Sequence, residues 1–154
     1  MKTYDEAYFD RWYRGPAAPK GGGELRRQVA LAVAAAESVL DRGLGSVLDV
    51  GAGEGRWQPV LAELRPDARY LGIEPSDYAV QRFGEVRNLR SGDLDSLRDF
   101  AFEEPFDLVV CADVLHYVDD RTILETVDEL ADLVGGIAVL EVFTAEDHPE
   151  GDRE

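Results

Sequence analysis

Residues 48–55 read LDVGAGEG. They continue an apolar run, SVLDV over 46–50, which stops at three alternate glycines, Gly51, Gly53 and Gly55. A stretch of helical spacing follows from about Arg56 to Arg65, and its Pro59 is acceptable only in a first turn. The unit therefore reads as strand, glycine turn, helix. In a sheet built of such units the ligand lies outside the carboxyl ends of the strands, where strand order reverses. A turn without Cβ atoms lets the backbone approach that ligand closely. A dinucleotide fingerprint needs a third glycine at position 56, and Arg56 stands there instead. An NAD-dependent oxidoreductase thereby loses its motif and ranks third among the functional readings.

The same unit recurs on either side. Upstream, Tyr4, Tyr8, Phe9, Trp12 and Tyr13 share one face of a short helix over 4–14, and the Gly/Pro-rich stretch 15–23 reads as a mobile connector. From Glu24 to about Arg42 the apolar positions follow helical spacing, with Gly43 as the stop. Downstream, Ala68 to Glu74 reads as a strand, and Ser76 caps a helix to about Phe83. A weaker strand lies near Val86 to Arg90, and FDLVVCA over 106–112 is a fourth. Ile123, Leu124, Val127, Leu130, Ala131 and Val134 mark a helical stripe opposite Glu125, Asp128, Glu129 and Asp132. Gly135 and Gly136 are expected to end that helix before a fifth strand, Ile137 to Phe143. Strands alternating with helices imply right-handed crossovers, so the fold class is α/β with a parallel sheet covered on both faces. The acidic residues 144–154 read as a solvated tail.

Composition bounds the partners. The 154 residues suit one domain, 1–154, and 45% apolar with 31% charged residues is globular rather than disordered. Sixteen basic against 32 acidic side chains give a net charge of −16, whose field repels nucleic acid and anionic membrane. One Cys excludes an intramolecular disulfide, and with two His it cannot build an ordinary zinc site, which points to the cytosol. No apolar run approaches the ~18 residues of a membrane span, and Met1 to Asp10 lacks a signal-peptide layout.

Four strand ends aim polar or small groups at one crevice. Asp49 and the glycines close the first, and Glu74 closes the second, where a carboxylate can accept from both ribose hydroxyls. Asp93 follows the third, and the fourth ends at Cys111 and Ala112. These motifs, in this order over Leu25 to Phe143, resemble the class I S-adenosylmethionine-dependent methyltransferases.

The resemblance implies a Rossmann-like three-layer α/β/α fold with strand order 3-2-1-4-5. It implies S-adenosylmethionine as cofactor. Asp49, Gly51, Ala52 and Gly53 would cradle its methionine part, Glu74 with Pro75 the ribose, and Asp93 with Leu94 the adenine. FDLVVCADVLHYV, Phe106 to Val118, would be the motif after strand four, with Cys111 among the contacting residues. The activity implied is methyl transfer to an O, N or C nucleophile of a small molecule. No catalytic residue and no metal ligand is assigned. Members usually continue past strand five with a helix and an antiparallel strand pair, whereas eleven residues follow Phe143 here. Strand five is thus expected to be a bare edge, covered by a missing C-terminal segment or a second copy.

Several residues keep two readings. Cys111 also reads as a small buried hydrophobe. His116 could take a proton from an acceptor or serve as a turn residue. Asp113, Asp119 and Asp120 could bind a divalent metal, although helix capping explains the latter two more simply. The N-terminal aromatics could be core, or a lid that closes over the site. The alternative for the whole chain is a non-catalytic, methyltransferase-like binding module.

Overall fold

The computed structural model describes residues 4–15 and 22–142. Five strands, β1 (Ser46–Val50), β2 (Arg69–Glu74), β3 (Leu89–Ser91), β4 (Phe106–Ala112) and β5 (Val134–Glu141), form one parallel sheet in the order β3-β2-β1-β4-β5. Among the described residues five α-helices accompany them: α1 (Glu6–Phe9), α2 (Gly22–Leu40), α3 (Trp57–Leu64), α4 (Asp77–Arg87) and α5 (Asp120–Asp132). None among the described residues is long and apolar enough to cross a membrane.

β1 and β4 sit centrally because they are apolar on both faces. Alternate side chains feed two cores. Val47, Leu108 and Val110 pack under α2, α3 and α4, against Val29, Val33, Leu61 and Trp57. Leu48, Val50, Val109 and Cys111 pack on the opposite face with Leu97 and with Leu130 of α5. The result is the expected three-layer α/β/α arrangement. Strand order reverses between β1 and β4, so the crevice opens there.

The structure corrects several boundaries. The N-terminal segment is not one regular helix: after α1 the chain widens into a π turn, Asp10–Arg14. Across it Phe9 and Tyr13 pack ring against ring, their centroids 4.9 Å apart. Gly22 and Gly23 belong to α2 rather than to a connector, since first-turn amides need no intrahelical partner. The rest of that connector, 16–21, lies outside the described residues, as do Phe143 and the acidic tail. α2 ends at Leu40 because Asp41, not Gly43, takes the left-handed conformation, φ 53.

α4 runs to Arg87 and absorbs the start of the expected third strand. Left-handed Asn88, φ 51, stops it, leaving only Leu89–Ser91 for β3. α5 stops at Asp132, and Gly135 and Gly136 lie inside β5 instead of ending the helix. A Cβ at Gly136 would overlap the Asp107 carbonyl, and the β4–β5 register shifts between Phe106 and Leu108. The apolar stripe of α5 is only partly inward. Leu124 is 73% exposed, whereas Thr126 is buried, its hydroxyl satisfied by the Thr122 carbonyl at 2.7 Å. Within the described residues β5 is a sheet edge, with Leu140 and Val142 exposed.

Candidate functional site

The glycine turn is built by backbone geometry. Gly51 N–H and Ala52 N–H both donate to the Ile73 carbonyl, at 2.8 and 3.1 Å, which bends the chain sharply off β1. Gly51 and Gly53 hold φ of 70° and 56°, where an L side chain is strained. Space forbids one as well: a Cβ at Gly51 would overlap Val114, and one at Gly53 would overlap the Tyr13 hydroxyl.

Two carboxylates flank this turn. Asp49 points to the α3 side of the sheet, is 4% exposed and accepts from Tyr70 Oη at 2.7 Å. Burial pushes its pKa up to about 7; the Tyr70 hydrogen bond opposes that rise and the neighbouring Glu74 charge adds to it. Glu74, at the carboxyl end of β2, accepts from Gly53 N–H at 2.7 Å and Ser76 N–H at 3.0 Å. Burial raises its pKa while the two amides pull the other way. They also fix the orientation of the carboxylate beside the turn.

The N-terminal segment crosses these strand ends. Phe9 is 1% exposed, with its ring 4.9 Å from Tyr13 and 5.5 Å from Tyr78. Ser76 Oγ donates to the Tyr4 carbonyl at 2.5 Å, and the Tyr8 and Tyr117 hydroxyls lie 3.4 Å apart. Tyr13 thus reaches the turn, where burial and then the charges of Glu74, Asp113, Glu54 and Asp49 keep its phenol protonated.

Beneath Tyr13 opens a cavity of about 280 Å³ lined by Asp49, Gly51 and Ala52 from the β1 end and Arg56 and Trp57 from the start of α3. Leu25 and Gln28 of α2 close one side; Ala112, Asp113 and Glu141, from the ends of β4 and β5, close another. The lining combines acids, one guanidinium and apolar surface. That suits a ligand carrying both an ammonium and a carboxylate on an apolar body.

The expected site residues therefore divide. Asp49, Gly51 and Ala52 meet in the cavity; Gly53 and Glu74 meet beside it. Pro75 is exposed next to Glu74. Asp93 is exposed, its carboxylate accepting from Ser96 N–H at 3.0 Å, while Leu94 is buried in the core on the α5 side. Cys111 is fully buried there, and burial pushes its thiol up to about 12, which leaves it a protonated packing group.

Asp113 takes a left-handed backbone, φ 62, and its N–H donates to the Glu141 carbonyl at 3.2 Å. His116 Nδ1 stands 3.7 Å from Asp113 Oδ1, beyond hydrogen-bond length. Asp119 caps α5 by accepting from the Arg121 and Thr122 amides. Tyr70, Gln28, Trp57 and Glu141 escaped the sequence reading. Tyr70 and Glu141 stand on strands and Gln28 and Trp57 on helices, all at ordinary positions for their elements, and only the packing of helices on the sheet brings them to Asp49 and the crevice.

Comparisons with known proteins agree with this geometry. A profile of the methyltransferase domain matches residues 48–136. No functionally curated protein matches the chain. Among solved structures, the sugar N-methyltransferase KedS8 from Streptoalloteichus is 22% identical with a TM-score of 0.72, over 99% of this chain and 60% of its own. CalS10, an amino pentose methyltransferase from Micromonospora echinaspora solved with S-adenosylmethionine bound, gives 22% and 0.68, over 95% and 60%. DesVI from Streptomyces venezuelae gives 22% and 0.62, over 79% and 52%. This chain thus spans half to three fifths of the length of those structures. With 48–136 matched, and with the glycine turn, the paired acids and the strand order in place, the chain belongs to the methyltransferase-domain family, in agreement with its class I resemblance.

Proposed function

We propose that this chain binds S-adenosylmethionine and transfers its methyl group to a nucleophile of a small molecule. The observation that carries the reading is Glu74, held by the Gly53 and Ser76 amides beside the turn that follows Asp49. Both oxygens keep a lone pair for a ribose diol. Asp49 receives the methionine ammonium, and Arg56, at the head of α3, its carboxylate. Asp93 and Leu94 remain the proposed adenine contacts. The cofactor supplies an activated methyl on a sulfonium, so no protein nucleophile is required.

What the chain supplies is position and exclusion of water. Two reactants held in line gain up to ~7–11 kcal/mol over free encounter in favourable cases. Tyr13 and the N-terminal segment cover the crevice, and Asp113 with Glu141 borders the side where an acceptor enters. His116, exposed beside Asp113, is the candidate to take a proton from that acceptor. KedS8 and CalS10 carry sugar and amino pentose methyltransferase descriptions, which makes amino sugars the first acceptors to try.

Thermal unfolding with S-adenosylmethionine, S-adenosylhomocysteine and NAD in separate titrations tests the cofactor. Ligand at 100 times its Kd stabilises by about 2.7 kcal/mol, several degrees for a domain of this size. A shift with the first two and none with NAD supports the reading; a shift with NAD alone refutes it. Binding without turnover on any acceptor would favour the non-catalytic module.

A further inference from the structure

Asp49 and Tyr70 lie on the same face of adjacent parallel strands, but they are not register partners. Asp49 pairs with Gly72, and Tyr70 pairs with Val47. A side chain at position 72 would crowd the Tyr70 hydroxyl: its Cβ would come within 3.1 Å of Tyr70 Oη, 2.9 Å of the Ala52 methyl and 2.5 Å of Leu89 Cδ2. Glycine leaves a gap, and through it the phenol runs diagonally across the sheet to Asp49 Oδ2 at 2.7 Å. Both residues are buried, Tyr70 7% and Asp49 4% exposed, so the bond is shielded from water. Asp49 nevertheless borders the cavity.

A buried phenol needs an acceptor, and Tyr70 takes as its acceptor a carboxylate that borders the cavity. We propose that Tyr70 is a positioning residue: its hydroxyl, passing the gap at Gly72, aims Asp49 at the cavity and favours its anion for an incoming ammonium. This rests on the reading that Asp49 receives the cofactor's ammonium.

A hydrogen bond donated to an anion stabilises that anion, so its loss moves the protonation of Asp49 to higher pH. Other ionisable groups face the same place. Glu74 lies on β2 and Tyr13 on the N-terminal segment; Arg56, Asp113 and Glu141 line the cavity, and Cys111 of β4 feels the Asp49 charge from the opposite face of the sheet. His116 stands beside Asp113, and Arg87 of α4 acts on Tyr70. An Asp49→Asn variant retains all of these, so its difference from the wild-type profile isolates Asp49.

The experiment is calorimetric titration of the full chain with S-adenosylhomocysteine between pH 5 and 9, for wild type, Tyr70→Phe and Asp49→Asn. Wild-type affinity should fall as pH drops below neutrality, as Asp49 takes up a proton. In Tyr70→Phe the inflection should move up by about one pH unit, with affinity at pH 7 several-fold weaker and converging on wild type toward pH 9. A Tyr70→Phe inflection that coincides with wild type, or a loss equal at every pH, overturns the proposal and leaves Tyr70 a packing residue. An Asp49→Asn variant with wild-type affinity and profile overturns instead the assignment of Asp49 to the ammonium. If Tyr70→Phe does not fold, 3-fluorotyrosine at position 70 alone provides the test. Its more acidic phenol is a stronger donor, so the inflection should move down; an unmoved inflection overturns the proposal.

Discussion

Arg14 Nη2 meets Glu54 Oε1 at 2.5 Å across forty residues of chain, fastening the N-terminal segment to the glycine turn. The segment is otherwise held by Phe9 among tyrosine rings and by the Tyr4 and Tyr8 contacts, with no strand of its own. Its attachment is therefore local, and its opening is expected to be separable from global unfolding.

For that reason Arg14→Ala should act on ligand retention more than on folding. The guanidinium is 40% exposed, so the pair contributes at most about 1 kcal/mol. We expect the dissociation rate of S-adenosylhomocysteine to rise at least threefold in stopped-flow measurements, with Tm nearly unchanged. A variant that melts earlier but releases ligand at the wild-type rate would show the segment to be core and not lid.

Glu74→Ala removes the proposed ribose acceptor and leaves the Gly53 and Ser76 amides without theirs. Two hydrogen bonds to a charged group are worth enough together that S-adenosylmethionine affinity should drop roughly 100-fold. Equilibrium titration decides it: an affinity within threefold of wild type would remove Glu74 from the site.

Burial of Asp49 carries a stability cost. An aspartate in the unfolded chain ionises near ~3.9, whereas burial holds Asp49 to about 7 in the fold. Between those values the folded protein keeps a proton that the unfolded chain has lost, so stability declines as pH rises through that window and levels off above it. Asp49→Asn should abolish this decline and melt several degrees higher at pH 8, in the absence of ligand, while losing cofactor. Urea unfolding at pH 5 and 8 that gave parallel curves for both proteins would contradict this.

Glu37 has the opposite sign. The Arg65 guanidinium and the Leu44 amide draw its pKa down to about 2. Its contribution is complete above the ordinary glutamate range and is lost as pH falls from about 5 toward 2. Glu37→Gln should be less stable at pH 7 and show a shallower acid limb in pH-dependent melting; an unchanged limb would mean that the pair contributes nothing to folding.

Gly136→Ala tests the β4–β5 seam. The added methyl would overlap the Asp107 carbonyl, which is backbone and cannot swing away. A loss of about 2 kcal/mol or more is expected from forced strand displacement. Chemical denaturation giving less than 0.5 kcal/mol, roughly the effect of a neutral surface change, would show that the seam yields.

Much of the architecture is legible in local pattern. SVLDV and FDLVVCA are apolar at consecutive positions, and only a strand covered on both faces needs that, so β1 and β4 had to be central. LDVGAGEG announces its turn because alternate glycines permit the left-handed backbone that Gly51, Gly53 and Gly55 adopt. Ser76 and Asp119 were readable as caps since a cap acts on amides two or three residues away. Asp49 and Glu74 could be singled out because each stands at a strand end.

What local pattern could not supply depends on contacts between distant segments. The helix-ending look of Gly135 and Gly136 is overridden by the close approach of the Asp107 backbone, which no window around 135 contains. Tyr70 reads as a β-former until strand register places Gly72 opposite Asp49 and opens the path between them. Tyr13 reads as one more aromatic of a stripe until a π turn and Phe9 carry it onto Gly53. Periodicity and propensity act over a few residues and so are written in the chain order; the surroundings of a side chain are set by which strands become neighbours, and that is decided only when the sheet closes its core.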